Sequence, residues 1–304
     1  MGKGAFSVVR EGTHKKSGSS FAVKIVMKSQ LTPEDETALK DEINILQDME
    51  QPHIIRLYAV YDESSYFYLI TERMLGGELF DRIVSKCYYN EKEARDVCAI
   101  LFGAMNYIHQ KSVAHRDLKP ENLLLMSENS DSDIKIADFG FAKRAISSTC
   151  LRTQCGTPGY VAPEILEGIP YGTQADMWSL GVIAFILLGG YPPFIEENQR
   201  DLFRKIRKGQ YEFHEEYWGG VSSEAKDLIA SLLTVNPEKR LTAESALNHE
   251  WMKSDDTYLA GKDLGVNLAE FKKFNARRKF KSAVKAVIMI NKLNSLGDNF
   301  KNNL

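Results

Sequence analysis

The chain has only four cysteines in 304 residues, Cys87, Cys98, Cys150 and Cys155, and no two of them make a C-x-x-C pair. That scarcity excludes a zinc ribbon or a disulfide framework as the organising device, and leaves free thiols in a reducing compartment as the expectation. No secretory signal opens the sequence. Long apolar runs are missing as well. The longest, Val182 to Leu188, is far too short to span a bilayer and reads as part of a buried core helix. Myristoylation after Met1-Gly2 is excluded because Phe6 stands where the signal needs Ser or Thr. No EF-hand loop occurs, so any calcium sensing must come from another chain. An excess of one charge is absent too: 39 Lys and Arg face 41 Asp and Glu, a net charge of −2, which points to neither nucleic acid nor membrane as partner. A cytoplasmic or nuclear protein is the default expectation. The length suits a two-lobed domain plus a tail, with enough apolar content for a core.

The charge is unevenly placed. From Phe271 to Leu293 there are eight Lys or Arg and no acid, so the net −2 divides into +8 there and −10 elsewhere. An acidic body with a basic tail suggests that one docks on the other.

Near the start stands Gly2-Lys3-Gly4-Ala5-Phe6-Ser7-Val8-Val9. In a dinucleotide fold such a glycine loop leads into a helix. Here it leads into Val8-Val9-Arg10 and, past a Lys/Ser/Gly turn, into Phe21-Ala22-Val23-Lys24, which are strand signals around a hairpin. Asp41-Glu42-Ile43-Asn44-Ile45-Leu46 follows with helical spacing of its apolar residues. Then come His115-Arg116-Asp117-Leu118-Lys119-Pro120-Glu121-Asn122, Asp138-Phe139-Gly140 and Ala162-Pro163-Glu164. Phosphoryl transfer needs few protein groups: a carboxylate to receive the hydroxyl proton, and an Asn and an Asp to hold magnesium against the ATP phosphates. Asp117, Asn122 and Asp138 are those residue types in that order. A three-letter motif arises by chance; the ordered set does not. Over nearly its whole length the sequence resembles the serine/threonine protein kinases.

The resemblance implies an α+β, bilobal protein kinase fold. A small β-rich N-lobe spans 1–75, a larger helical C-lobe spans 76–252, and a C-terminal regulatory helix lies in a tail of 253–304. It implies ATP and Mg²⁺ as cofactors. Gly2, Lys3 and Gly4 form the flap over the phosphates, and Ser7 stands where the third glycine usually falls. Lys24 contacts the phosphates and pairs with Glu42, chosen over Asp41. Backbone groups near Glu72 and Met74 bind the adenine edge, and Val9, Ala22 and Leu124 sandwich its faces. Thr71 guards the back pocket and leaves it open. Asp117 accepts the proton, help worth about 10²–10⁴-fold. Lys119 neutralises the transferring phosphate, and Asn122 and Asp138 ligate the metal. His115, Phe139, Leu46 and Leu57 match the residues that stack between lobes. Asp176 resembles the aspartate that holds the catalytic loop, and Glu164 with Arg240 match a buried pair.

Lys119, two residues after the aspartate, marks the serine/threonine type, and Thr157 is expected to hydrogen-bond near it. Glu78, helped by Glu121, matches the carboxylate that reads an arginine three residues before the target; the alternative is that Glu78 caps a helix. Ile186 stands where strongly dibasic-reading relatives place an acid, so the preference implied is R-x-x-S/T. Thr153 falls where an activating phosphate goes, set by an upstream kinase and received by Arg116. Ser147, Ser148 and Thr149 are its rivals.

The core is expected to end near Trp251-Met252, with polar Lys253 to Lys262 as a connector. In the basic tail, Phe280, Val284, Val287 and Ile288 share a helical stripe. Basic amphipathic helices bind membranes or calmodulin. Phe280, Val284, Met289 and Leu293 have 1-5-10-14 spacing, with the first and last on nearly opposite faces, which favours a two-lobed clamp over a flat bilayer. Lys272-Lys273-Phe274-Asn275-Ala276-Arg277-Arg278-Lys279 also resembles the regulatory segment of the multifunctional calcium/calmodulin-dependent kinases. The partners implied are protein substrates and Ca²⁺/calmodulin. In the multimeric members a threonine before that segment sustains calcium-independent activity; Asn267 stands there, so that route is not expected, and a monomer is. Two alternatives stay open: an EF-hand-fused kinase cut at its C-terminus, and a calmodulin-binding scaffold with impaired catalysis. The second rests on the strand before Gly2, of which only Met1 is present against about 5–6 residues in a full strand. Truncation upstream is the favoured explanation.

Overall fold

The computed structural model describes residues 7–145, 151, 153 and 155–301, with side chains described to residue 284 and at 287. The expected glycine flap (Gly2, Lys3, Gly4), the rival phosphosites 147–149 and the side chains of Ile288, Met289 and Leu293 lie outside the described residues.

The N-terminal part is an antiparallel sheet with one long helix. Strands β1 (Ser7–Thr13) and β2 (Ser20–Met27) form a hairpin, helix α1 (Pro33–Gln47) follows, and strands β3 (Leu57–Asp62) and β4 (Tyr66–Thr71) complete a sheet of order β1-β2-β4-β3. The β-branched and aromatic residues of these segments suit the pleated surface. Thr32 and Asp35 close a reciprocal capping box at the start of α1, which satisfies two amide donors that the first turn would otherwise leave bare. From α1 the side chains of Leu39 and Ile43 meet Val26, Phe67 and Leu69 of the sheet in a small core.

The rest is mainly helical, so the molecule is α+β with the two classes segregated. In order come α2 (Leu79–Ser85), α3 (Glu91–Gln110), β5 (Val113–Ala114), β6 (Leu123–Leu125), β7 (Ile134–Ile136), β8 (Lys143–Arg144), α4 (Pro163–Leu166) and α5 (Gln174–Gly189). They are followed by α6 (Gln199–Lys208), α7 (Glu215–Trp218), α8 (Ser223–Leu232), α9 (Ala243–Leu247), α10 (Glu250–Lys253), α11 (Asp256–Ala260) and α12 (Gly265–Lys301). Val182 to Leu188, the apolar run, lies inside α5, where every residue from Ala175 to Gly189 is buried. A helix apolar all round belongs in the middle of a core. Short ladders β5–β8 and β6–β7 carry the loops between α3 and α4. Among the described residues no helix is long and apolar enough to cross a membrane.

The expected polar connector after Met252 is structured instead. Helix α11 lies within it, Leu259 is fully buried, and Tyr88 donates its hydroxyl to the Ala260 carbonyl at 3.1 Å. Glu91 N–H reaches the Lys262 carbonyl at 3.0 Å, and Leu264 N–H reaches Tyr89 at 2.9 Å. One leucine with its backbone partners is enough to fasten a segment whose composition alone reads as solvated.

Helix α12 then packs against the helical part. Asn267, buried, donates through Nδ2 to the carbonyls of Leu188 (2.5 Å) and Tyr217 (2.8 Å). Phe271 is buried edge-on against Phe80, ring centroids 4.8 Å apart. Gly190, at φ +81°, lets the two approach: a β-carbon there would sit 2.2 Å from the Asn267 carbonyl oxygen. Any other residue would suffer both the left-handed backbone and the collision.

Candidate active site

The sheet register builds the first half of the site. Lys24 stands opposite Val9 on one side and Leu69 on the other, and Ala22 stands opposite Thr71. Lys24 Nζ donates to both carboxylate oxygens of Glu42, at 2.7 and 3.0 Å. Glu42 is buried on the inner face of α1. Asp41, one residue earlier, faces Lys143 at 4.0 Å with both side chains substantially exposed, so the choice between neighbouring acids is made by which face of α1 meets the sheet.

Glu72 begins the segment after β4. Its buried carboxylate accepts from Arg56 N–H at 2.7 Å and pairs with Lys135 at 2.7 Å. The side chain therefore braces the junction between the sheet and the β6–β7 ladder, and only its backbone is left to face a base. Its own N–H is taken by the Arg56 carbonyl at 3.1 Å, leaving the carbonyl oxygen as the group that can accept. Val9, Ala22, Met74 and Leu124 are half-buried, as befits groups that would cover an aromatic ring without being sealed off.

The second half of the site comes from the loop between β5 and β6. Asp117 is buried and held from two sides: Thr157 donates its hydroxyl to Oδ1 at 2.8 Å, and Lys119 Nζ donates to Oδ2. Lys119 also reaches Thr157 Oγ1 at 3.2 Å. Asp117, Lys119 and Thr157 are thus one cluster. Asn122 is buried and donates through Nδ2 to the Asp117 carbonyl at 2.8 Å, which fixes the amide and leaves its Oδ1 as the remaining polar atom. Asp138 is exposed, at φ +60°. That left-handed backbone is uncommon outside glycine and accompanies functional positions.

An amide oxygen and an exposed carboxylate are hard donors of the kind magnesium takes, with water and phosphate oxygens completing its shell. Among the described residues no group of three or more His, Cys, Asp or Glu could hold an ion unaided. Two protein oxygens match an ion that arrives with its nucleotide.

Beneath the loop, Asp176 of α5 accepts the backbone N–H groups of His115 (2.9 Å) and Arg116 (2.8 Å), and faces His109 Nε2 at 2.9 Å. Burial pushes this carboxyl up, but the His109 hydrogen bond and charge, the charge of His115 and the Arg116 amide outweigh it and hold it below its ordinary value. His115 packs edge-on to Phe139, centroids 4.8 Å apart. Leu46 and Phe139 are buried, and Leu57 packs partly buried against that core. Glu164 and Arg240 form a bidentate buried pair at 2.7 and 2.9 Å.

Thr153 is exposed, and its carbonyl accepts from the Tyr171 hydroxyl at 2.7 Å. Arg116 donates to that same hydroxyl at 3.1 Å. One tyrosine therefore separates the expected phosphate position from its expected receiver.

The expected substrate carboxylates are already occupied. Glu78 directly precedes α2 without capping it through its side chain. It accepts instead from Arg278 (2.5 Å) and Lys279 (2.6 Å) of α12. Arg278 also pairs with Glu121 at 3.1 Å, and its guanidinium lies 5.8 Å from the Phe80 ring centre. Lys279 pairs further with Asp81 at 2.7 Å, and Asn275 donates to Asp81 at 2.8 Å. Burial opposes the charge on Arg278, but Glu121 and Glu78 override it and raise its pKa. A cavity of about 520 Å³ remains between α12 and the helical part, lined among others by Lys119, Glu121, Thr157, Phe274, Arg278 and Ser282. On the outer side of α12, Phe280 is 71% exposed and Val284 and Val287 are exposed as well.

Sequence reasoning missed His109, Tyr171, Phe271 and Asn275. Phe271 and Phe274, three apart beside an asparagine, are a helix-face signal that would have found the last anchors. His109 and Tyr171 carry no local signal, since each acts across tens of residues.

Comparison with known proteins agrees with this geometry. The family described as the protein kinase domain matches residues 1–252. Myosin light chain kinase A of Dictyostelium discoideum is 46% identical over 257 residues, 84% of this chain and 87% of that one. Calcium/calmodulin-dependent protein kinase type 1 of Caenorhabditis elegans is 43% identical over 298 residues, 97% of this chain and 84% of its own length. Calcium/calmodulin-dependent protein kinase type II of Caenorhabditis briggsae is 42% identical over 296 residues, of which 56% of the relative's length is covered.

Proposed function

The chain belongs to the protein kinase family, as a serine/threonine kinase of the calcium/calmodulin-dependent type, and from that premise we propose that it phosphorylates R-x-x-S/T sites and is held inactive by its own tail until Ca²⁺/calmodulin removes it. The carrying observation is that Arg278 and Lys279 fill the carboxylate pair Glu78 and Glu121. A substrate arginine would need those same oxygens, so tail and substrate compete for one site.

In this reading ATP lies between the sheet and the β5–β6 loop, with the Glu72 carbonyl and Met74 amide at the base edge and Val9, Ala22 and Leu124 on its faces. Gly2, Lys3 and Gly4 cover the phosphates. Lys24, oriented by Glu42, holds the α- and β-phosphates. Asn122 and Asp138 would hold Mg²⁺, whose chemistry is to neutralise charge on the phosphate oxygens. Asp117 orients the substrate hydroxyl and takes its proton. Lys119 sits against the transferring phosphoryl group. Thr153, phosphorylated by an upstream kinase, would bring about −2 charge toward Arg116 and order the segment.

Calmodulin would take the tail through Phe280, Val284, Met289 and Leu293. The exposure of Phe280 and Val284 on the docked helix supports an initial grip that needs no prior release. To carry the active fraction from 1% to 99%, calmodulin must favour the released state by about 5.5 kcal/mol. The test is phosphate transfer from ATP-Mg²⁺ to an R-x-x-S peptide with and without Ca²⁺/calmodulin. Transfer appearing only with calmodulin is the expected result. Equal transfer in both conditions would remove the tail block, and silence in both after Thr153 phosphorylation would remove the substrate reading.

A further inference from the structure

One phenol joins the two backbone segments that hold the catalytic carboxylate. Tyr171 is buried, and its hydroxyl donates to the Thr153 carbonyl at 2.7 Å and accepts from Arg116 Nη1 at 3.1 Å. Cys155 Sγ lies 3.6 Å from the same oxygen. Arg116 is the residue before Asp117. Thr153 and Cys155 lead toward Thr157, whose hydroxyl fixes Asp117 Oδ1. The backbone of Tyr171 grips the same segment: its N–H and carbonyl exchange hydrogen bonds with Leu151 at 2.9 and 3.0 Å. Resting on the assignment of Thr153 as the activating position, we infer that Tyr171 is a positioning residue for phosphoryl transfer. Its hydroxyl holds Arg116 to the segment that carries Thr157 while Thr153 is unmodified, and phosphate on Thr153 takes over a link already made.

The surroundings of Arg116 favour this role. Among the described residues its guanidinium meets no carboxylate; its polar contacts are the Phe141 carbonyl at 2.5 Å and the Tyr171 hydroxyl, both neutral. The backbone there sits at φ +70°, a left-handed conformation that persists only where the surroundings over-determine it. Asp176 holds the Arg116 N–H, and Tyr171 with Phe141 holds the side chain.

Burial pushes the phenol's pKa up, and the Cys155 contact adds to it, against the pull of Arg116. The hydroxyl therefore keeps its proton at neutral pH and stays a donor to Thr153. A phenol offers the guanidinium one uncharged acceptor. A phosphate offers charged oxygens that a guanidinium can take two at a time, through shorter and stronger bonds. Thr153 is exposed, so a phosphate there can replace the phenol at Arg116 from the solvent side while the ring stays packed.

The test removes the hydroxyl and keeps the ring. Tyr171→Phe is compared with the parent in the full chain under saturating Ca²⁺/calmodulin, once on Thr153→Ala, which retains the backbone carbonyl, and once with Thr153 phosphorylated. The measurements are kcat and KM for ATP with an R-x-x-S peptide, and hydrogen exchange at the Leu151 amide. On Thr153→Ala, Tyr171→Phe should lower kcat by about tenfold, the upper size expected of one hydrogen bond, leave KM for ATP unchanged, and speed exchange at Leu151. On the phosphorylated chain both effects should vanish. Equal losses in the two forms, with the parent still activated by phosphate, overturn this inference alone, because a residue that only packs would act in both. So does a Thr153→Ala chain indifferent to Tyr171→Phe, or one that transfers nothing while the phosphorylated chain works. Phosphate that leaves the parent's kcat unchanged removes the Thr153 assignment and the takeover with it. A peptide that no form phosphorylates removes the substrate reading, and exchange then decides: faster exchange confined to the unmodified chain supports the role of Tyr171, and equal rates overturn it.

Discussion

Asp117 has both carboxylate oxygens engaged, one by the Thr157 hydroxyl and one by the Lys119 ammonium. Those donors fix where the carboxylate points before any substrate arrives, so catalysis need not reorient it. Replacing Asp117 with Asn keeps the shape and removes the proton acceptor; kcat should fall by about 10²–10⁴-fold while nucleotide affinity changes little, as steady-state kinetics with varied ATP would reveal. Asp176 acts differently. It touches no reacting group in this reading but anchors the backbone on which Asp117 is carried. Its folded pKa is lowered from 3.8, so the unfolded chain binds its proton first as acid is added. The stability that it contributes is present above about pH 3.8 and is lost as pH falls through the folded value. Urea unfolding between pH 3 and 5 should therefore show a steeper loss in the parent than in Asp176→Asn, and equal slopes would contradict the sign.

Two helices, α1 and α12, bring the charged partners of the site together. Helix α1 delivers Glu42 to Lys24 because its apolar residues Leu39, Ile43 and Leu46 must face inward, which turns position 42 the same way and position 41 outward. Helix α12 is fastened along its first three turns by Asn267, Phe271 and Asn275, and among the described residues its charges reach the helical part at Arg278 and Lys279. The apolar anchor and the ion pairs differ in how they respond to salt, since screening weakens exposed charges and leaves burial intact. Phe271→Ala should cost about 3–5 kcal/mol of packing and raise transfer to an R-x-x-S peptide without calmodulin. An unchanged basal rate would mean that the charges alone hold the tail. The Asn267 amide satisfies two buried carbonyls, Leu188 and Tyr217. A threonine side chain has one donor to offer there.

At the scale of the molecule, the Glu164–Arg240 pair ties the segment after the catalytic loop to the far helices across 76 residues of sequence. Both side chains are buried, and removing one partner leaves the other charged and unpaired. Glu164→Ala should destabilise by about 3–5 kcal/mol, read from denaturant midpoints, with Glu42 and Asp117 still in place in whatever fraction remains folded. A chain ending after Leu264 keeps the contacts of α11 with α3 and removes α12. It should transfer phosphate without calmodulin once Thr153 is phosphorylated. A silent chain of normal thermal stability would show that the tail is needed for activity rather than for its restraint.

Residue chemistry and local order were legible in the sequence alone. The ordered motifs around Lys24, Asp117 and Asp138, the hairpin at Phe21–Lys24, the buried helix at Val182–Leu188 and the basic tail all depend on neighbours within a few residues, and spacing records those directly. What lay beyond it was pairing over distance. Composition read Lys253–Lys262 as solvated because a single buried leucine and a few backbone bonds leave almost no mark on polarity. Nothing local says that Arg278 reaches Glu78 across 200 residues of sequence, or that Gly190 is bare so that Asn267 can come close. Those choices are made only when helices pack, because packing decides which of many compatible charges are brought within a few ångströms and cut off from water.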